Sequence, residues 1–168
     1  MATSVRRKIG GKANRWTGYH RILWPTDLSP LSKAALPHAA GLASVAGAEL
    51  VLLHVLPPPA TYAVPEISGA VWVPLQRETR AAARKELRRL EQQVKQAGFR
   101  THATLAEGVP FLQIVRAAKR LQCDLIVLAT HGRTGLIHAI MGSVAENVIR
   151  RAPCPVLTVR PPRFQQSR

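Results

Sequence analysis

Short apolar runs alternate with longer stretches of helical period along this chain, and that alternation carries the fold. Arg21–Pro25 (RILWP) reads as a short buried strand. Residues 29–46 follow with helical spacing through Leu31, Ala34, Ala35, His38, Ala39 and Leu42, and predict one helix with Ser29 as N-cap, Pro30 as first helical residue and Gly47 as its stop. Leu50–Leu56 (LVLLHVL) is continuously apolar, as a strand covered on both faces should be. Pro57–Val73, with three consecutive prolines, reads as an irregular connection. Leu75–Ala97 predicts a long helix with a core stripe of Leu87, Leu90 and Val94, ended by Gly98. Arg100–Ala106 is a more polar strand, suited to a sheet edge. Pro110–Leu121 is a helix with Leu112, Ile114, Val115 and Ala118 turned inward. Asp124–Thr130 is a buried strand, Ser143–Arg151 a short helix and Pro155–Val159 the last strand.

The resulting β-α-β-α-β-α-β-α-β string has no strands close enough for hairpins. It predicts an α/β, doubly wound, five-stranded and mostly parallel sheet, Rossmann-like, with helices on both faces. Ligands of such sheets bind beyond the carboxyl ends of the strands, where strand order reverses. Three of those ends carry candidate chemistry. In WPTDLS (residues 24–29), Asp27 can accept from a ribose or base donor or can reinforce the helix start beside Ser29, and the local sequence favours the second role. At Leu53-His54-Val55, backbone groups past the last ladder bond can pair with an adenine edge, while a plain core strand is the competing reading and His54 reads as a core or rim histidine. In ATHGRTGLIHAIMGSVAEN (residues 129–147), a loop with Gly132, Gly135 and Gly142 leads into a helix at Ser143, where free amides of Ser143, Val144 and Ala145 can receive phosphate. SVAE (residues 143–146) is also a good capping box, which would satisfy those amides internally.

Composition narrows the function classes. The 168 residues suit one domain with a sizeable core, and 46% are hydrophobic. The net charge is +15. Arg6, Arg7, Lys8, Lys12 and Arg15 lie in an acid-free start, and Arg163 and Arg168 lie at the end. Such tails attract polyanions through counterion release, so non-specific nucleic-acid contact is open to them. No apolar run approaches a membrane span, and the basic start lacks the apolar core of a secretory signal. Cys123 and Cys154 have no metal-ligand spacing and read as reduced side chains of a cytoplasmic protein. Dinucleotide, P-loop and nucleophile-elbow signatures are absent, as is any carboxylate pair at catalytic spacing. A dedicated enzyme is therefore poorly supported, with slow ATP hydrolysis the most to be expected.

From Tyr19 to Pro161 the chain resembles the universal stress protein family. The matching pieces are RILWPTDLS, AELVLLHVL, CDLIVLATHGRTGL and GSVAENVIRRAPCPVLTVR. The family's ATP-binding branch carries G-x2-G-x9-G-(S/T); here the frame is Ala129-x2-Gly132-x9-Gly142-Ser143, with alanine replacing the first glycine. The added methyl is expected to weaken nucleotide binding without excluding it. The resemblance implies a stress-response protein that binds ATP, ADP or AMP in a regulatory role. Asp27 would contact ribose and Val55 adenine, while Gly132, Gly142, Ser143 and Val144 would hold phosphates bridged by Mg2+ or Mn2+. Pro25, Thr26, Ala129 and His131 complete the candidate nucleotide site. It also implies a homodimer through the Pro155–Val159 strand, alongside protein partners the sequence does not name. A nucleotide-independent dimeric interaction protein of the same fold stays open, as does a basic nucleic-acid-associated one. The expected organisation is a basic extension over residues 1–19, a nucleotide-binding domain over 20–161 and a basic tail over 162–168.

Overall fold

The computed structural model describes residues 18–58, 69–131 and 141–160. Gly132 and both charged tails therefore lie outside the described residues. Strands β1 (Arg21–Thr26), β2 (Glu49–Leu56), β3 (Thr101–Glu107), β4 (Leu125–Ala129) and β5 (Val156–Val159) form one parallel sheet in the order β3-β2-β1-β4-β5. The chain builds outward from β1 to β3 and then restarts on the other side of β1. That reversal places the switch point between β1 and β4.

The period of two along each central strand splits the core into two layers. Ile22, Trp24, Leu50, Leu52, Leu125 and Val127 face one way and pack with Ala39 and Ala43 of α2 (Leu36–Ala46) and with Leu87, Leu90 and Val94 of α3 (Gly69–Gln96). Leu23, Val51, Leu53, Ile126 and Leu128 face the other way, against Ile114, Ala117 and Ala118 of α4 (Pro110–Arg120) and Ala145 and Val148 of α5 (Ser143–Arg151). Leu50, Val51, Leu52 and Leu53 are all fully buried, as a strand covered on both faces requires.

Three sequence expectations are corrected. The helix expected over residues 29–46 is two: α1 (Pro30–Lys33) and α2. Pro37 has no N–H to give to Lys33, and its ring would clash with that carbonyl in a continuous helix. The chain turns instead through Ala34 and Ala35, whose amides reach only the carbonyls of Leu31 and Ser32 at 3.3 Å. His38, placed in the core stripe by the single-helix reading, is exposed. The long helix begins at Gly69 rather than Leu75 and keeps Pro74 inside it. Residues 74–82 are exposed on every side, so over this stretch there is no buried stripe for a periodicity to reveal. Finally, Leu112 points outward from α4, 37% exposed, while Ile114 and Ala118 are buried as expected and Val115 is half-buried.

Candidate functional site at the carboxyl edge

The carboxyl ends of β1, β2 and β4 open into a cleft of about 300 Å3 at the switch point. That volume is near the lower end of pockets that hold small ligands. Its floor is the last turn of each strand: Pro25 to Asp27, Leu53 to Val55, and Leu128 to His131. Pro110 and Ile114 of α4 form one wall, and Gly142 to Ala145 at the start of α5 form another. Of the ten positions expected to hold nucleotide, Pro25, Thr26, Asp27, Val55, Ala129, His131, Gly142, Ser143 and Val144 all line this one cleft. Gly132 lies outside the described residues.

Hydrogen bonds hold the β1 end tightly. Thr26 Oγ1 accepts from the Leu28 amide at 3.0 Å and lies 2.8 Å from the Ser32 hydroxyl. Leu28 thereby adopts a φ of 68°, the left-handed region, and the chain turns sharply into α1. Asp27 Oδ1 accepts from the Ser29 amide at 3.0 Å, so one carboxylate oxygen serves the turn while the residue faces the cleft. Both roles weighed for Asp27 are thus geometrically open together. His54 is buried, with Nδ1 2.8 Å from the Thr26 carbonyl, an acceptor that requires the N–H at Nδ1 in this contact. It ties β2 to β1 beneath the cleft, as the core reading expected.

The β4 end is a junction. Thr130 donates its amide to the Val159 carbonyl at 2.9 Å and accepts the Gly142 amide on its own carbonyl at 2.8 Å. Three elements, β4, β5 and the start of α5, meet at one peptide. A side chain at Gly142 would be tight: a Cβ there would stand 3.0 Å from the Thr130 carbonyl oxygen, which would have to give by a few tenths of an ångström.

The capping box weighed for residues 143–146 does not form. Gly142 itself is the N-cap, extended at φ −72° and ψ 149°, and among the described residues no side chain is seen to cap the helix. Ser143 is already the first helical residue, so its hydroxyl is past the position from which a cap reaches the third amide. The first intrahelical bond runs from Glu146 N–H to Gly142 carbonyl at 3.1 Å. Ser143, Val144 and Ala145 thus line the cleft at the positive end of the helix dipole, and no described side chain is seen to take their amides.

Sequence reading missed six contributors to the lining: Ser32, Pro57, Pro110, Ile114, Leu128 and Thr130. Pro57 and Pro110 each follow a strand or open a helix at the same edge, which was the available signal. Among the described residues no three His, Cys, Asp or Glu side chains gather as a metal site, so a cation here would draw most of its oxygen ligands from a bound phosphate.

A family model described as the universal stress protein family matches residues 18–160. The chain belongs to that family. A universal stress protein of Methanocaldococcus jannaschii is 34% identical over 145 residues, covering 86% of this chain and 84% of the relative. The solved universal stress protein UspA from Lactobacillus plantarum is 30% identical with a TM-score of 0.75, covering 85% of this chain and 99% of that one. More distant members share the fold. One was solved in complex with cAMP, at 24% identity and a TM-score of 0.63 over 86% of this chain and 99% of that one. Another, from Arabidopsis thaliana, was solved with AMP bound, at 20% identity and a TM-score of 0.62 over 88% and 95%. In this universal stress protein no helix among the described residues is long and apolar enough to cross a membrane.

Proposed function

We propose that this chain is a stress-response protein that binds an adenine nucleotide (ATP, ADP or AMP) in the carboxyl-edge cleft and acts through that binding rather than through catalysis. The observation that carries the reading is the start of α5: a helix opened by a glycine where a Cβ would be tight, with no described side chain as its cap, forming a wall of the cleft. Adenine would lie against the backbone at Val55, ribose at Asp27, and phosphates on Gly142, Ser143 and Val144 with Mg2+ or Mn2+ between them. Gly132, His131, Thr26 and Pro25 would complete the surround. The Ala129 methyl stands at the β4 end beside this path and should weaken binding. Family members with cAMP and AMP support an adenine ligand.

The free thiols support a reducing, cytoplasmic setting. Cys123 is buried and its pKa is pushed up to about 12, chiefly by desolvation; burial also raises that of the half-buried Cys154. Neither has the activated character of a reactive cysteine.

Mass spectrometry of small molecules released by acid from freshly purified protein tests the reading. An adenine nucleotide near one equivalent, or micromolar ATP binding by calorimetry after its removal, is the expected result. No nucleotide and no binding at millimolar ATP would refute it and leave the nucleotide-independent interaction protein.

The assembly proposed is a homodimer through β5, which lies at the sheet edge with Leu157 38% exposed. An antiparallel pair about a two-fold axis would cover that edge. Analytical ultracentrifugation at tens of micromolar should show a dimer, and Thr158→Pro should shift it toward monomer while circular dichroism stays folded. A monomeric parent would refute the dimer.

A further inference from the structure

Helix α3 is far longer than the strands it covers. Its 28 residues span about 42 Å, whereas the seven residues of β3 span about 23 Å. The Arg80 guanidinium meets Glu107, the last residue of β3, at 3.1 Å. The helix residues before Arg80 therefore project past the carboxyl edge of the sheet, where residues 74–82 are exposed all round.

Along this helix Arg77, Arg80, Arg84 and Arg88 recur at intervals of three, four and four residues, which sets them on one face. The Arg80–Glu107 contact fixes that face toward the open β3 edge, away from the Lys33–Glu86 pair on the α1 side. All four are exposed. Arg77, Arg84 and Arg88 make no ion pair with any described residue. By the helical rise the row is roughly 16 Å long, with guanidinium positions about 4.5–6 Å apart. The two acids along this face, Glu107 and Glu91, are taken by Arg80 and Lys95, and three arginines of the row remain.

We propose that this arginine row is a docking face for the phosphate backbone of duplex nucleic acid, bound without sequence preference. Charge complementarity names the partner. Roughly 16 Å of duplex presents about five phosphates per strand, enough to engage every arginine of the row. Guanidinium forks match phosphate geometry better than ammonium groups do. Single strands are held by aromatic stacking platforms interleaved with the charges, and the arginine row itself, residues 77–88, contains no Phe, Tyr or Trp. The chain's net charge of +15 favours a polyanion over any neutral partner. None of the four arginines lines the nucleotide cleft, so the face is independent of it.

The test is fluorescence anisotropy of a labelled 20-base-pair DNA duplex with the full chain, from 50 to 300 mM salt. R77Q/R84Q/R88Q should weaken binding at least tenfold at 50 mM and reduce the slope of log K against log salt by about 2.7, three contacts at about 0.9 each. Its melting temperature should stay with the parent's. A second full-length variant, R6Q/R7Q/K8Q/K12Q/R15Q, separates the N-terminal charges from the helix. If that variant loses all binding while R77Q/R84Q/R88Q keeps the parent's affinity and slope, the proposal is overturned. It is overturned equally if a single strand of the same length binds more tightly than the duplex, or if polyglutamate of equal charge competes as well as the duplex does.

Discussion

The first turns of α1 and α5 both open at the carboxyl edge, on either side of the switch point, and they treat their amides differently. At α1, Ser29 is extended and its hydroxyl accepts the Ser32 amide at 3.1 Å, while Asp27 takes the Ser29 amide. The turn closes on its own side chains, and four residues later the helix is over. At α5, the extended residue is Gly142, which has no side chain to offer, and nine helical residues follow. The two sequences look alike in the property that matters, a small polar residue before an apolar helix. What separates them is one position of register. Ser29 sits at the cap, and Ser143 sits one residue inside it. A serine at the cap takes a first-turn amide for its own side chain, and a serine just inside is past the position to do so.

The largest expected effect comes from removing the open end. Gly142→Val would drive a branched side chain into the Thr130 carbonyl, 3.0 Å from the Cβ position, and across the approach to the amides. ATP affinity should fall at least 100-fold, about 2.7 kcal/mol, with the far-ultraviolet circular dichroism retained. Equal affinity of variant and parent for a labelled ATP analogue would remove α5 from the site. A smaller change sharpens the contrast at β4. Ala129→Gly should tighten ATP several-fold, on the order of 1 kcal/mol, by relieving the methyl beside the ligand path. Calorimetry showing unchanged or weaker binding would mean that the methyl stands clear of the ligand. The smallest effect on binding belongs to the closed end. Ser29→Ala should cost about 1 kcal/mol of stability, as lost N-caps do, and lower the melting temperature by roughly 2–4 °C. ATP affinity should change by less than twofold. A large loss of affinity without loss of stability would show that α1 also touches the ligand's phosphates.

The alternating pattern exposed the sheet, its edges and both core layers because each central strand is buried enough to be apolar throughout. Two helices were misjudged for opposite reasons. The α1–α2 break turns on Pro37, whose missing N–H outweighs a continuous run of helix-forming alanines. Residues 74–82 of α3 are exposed all round and left no stripe to read, and Pro74 looked like a boundary. In the site, the strand ends and Gly142 were legible because they directly follow or precede the apolar runs, and they line the cleft. The choice between capping box and phosphate was not, since SVAE suits both until the conformation of Gly142 decides which residue is the cap. Ser32 was missed because a hydroxyl that ties a turn together carries no spacing of its own, and Thr130 because its ties to Val159 and Gly142 are made by its backbone.

The central claim is that the start of α5, and not the start of α1, receives the phosphates. Amide chemical shifts of the 15N-labelled protein report on both turns at once. Titration with Mg-ATP should move the amides of Ser143, Val144 and Ala145 strongly, while adenosine, lacking phosphates, should leave them nearly still and perturb Val55. The Ser32 amide, held by Ser29, should stay in place throughout. Shifts centred on Ser32 and its neighbours, or α5 amides that respond as strongly to adenosine as to ATP, would contradict the account.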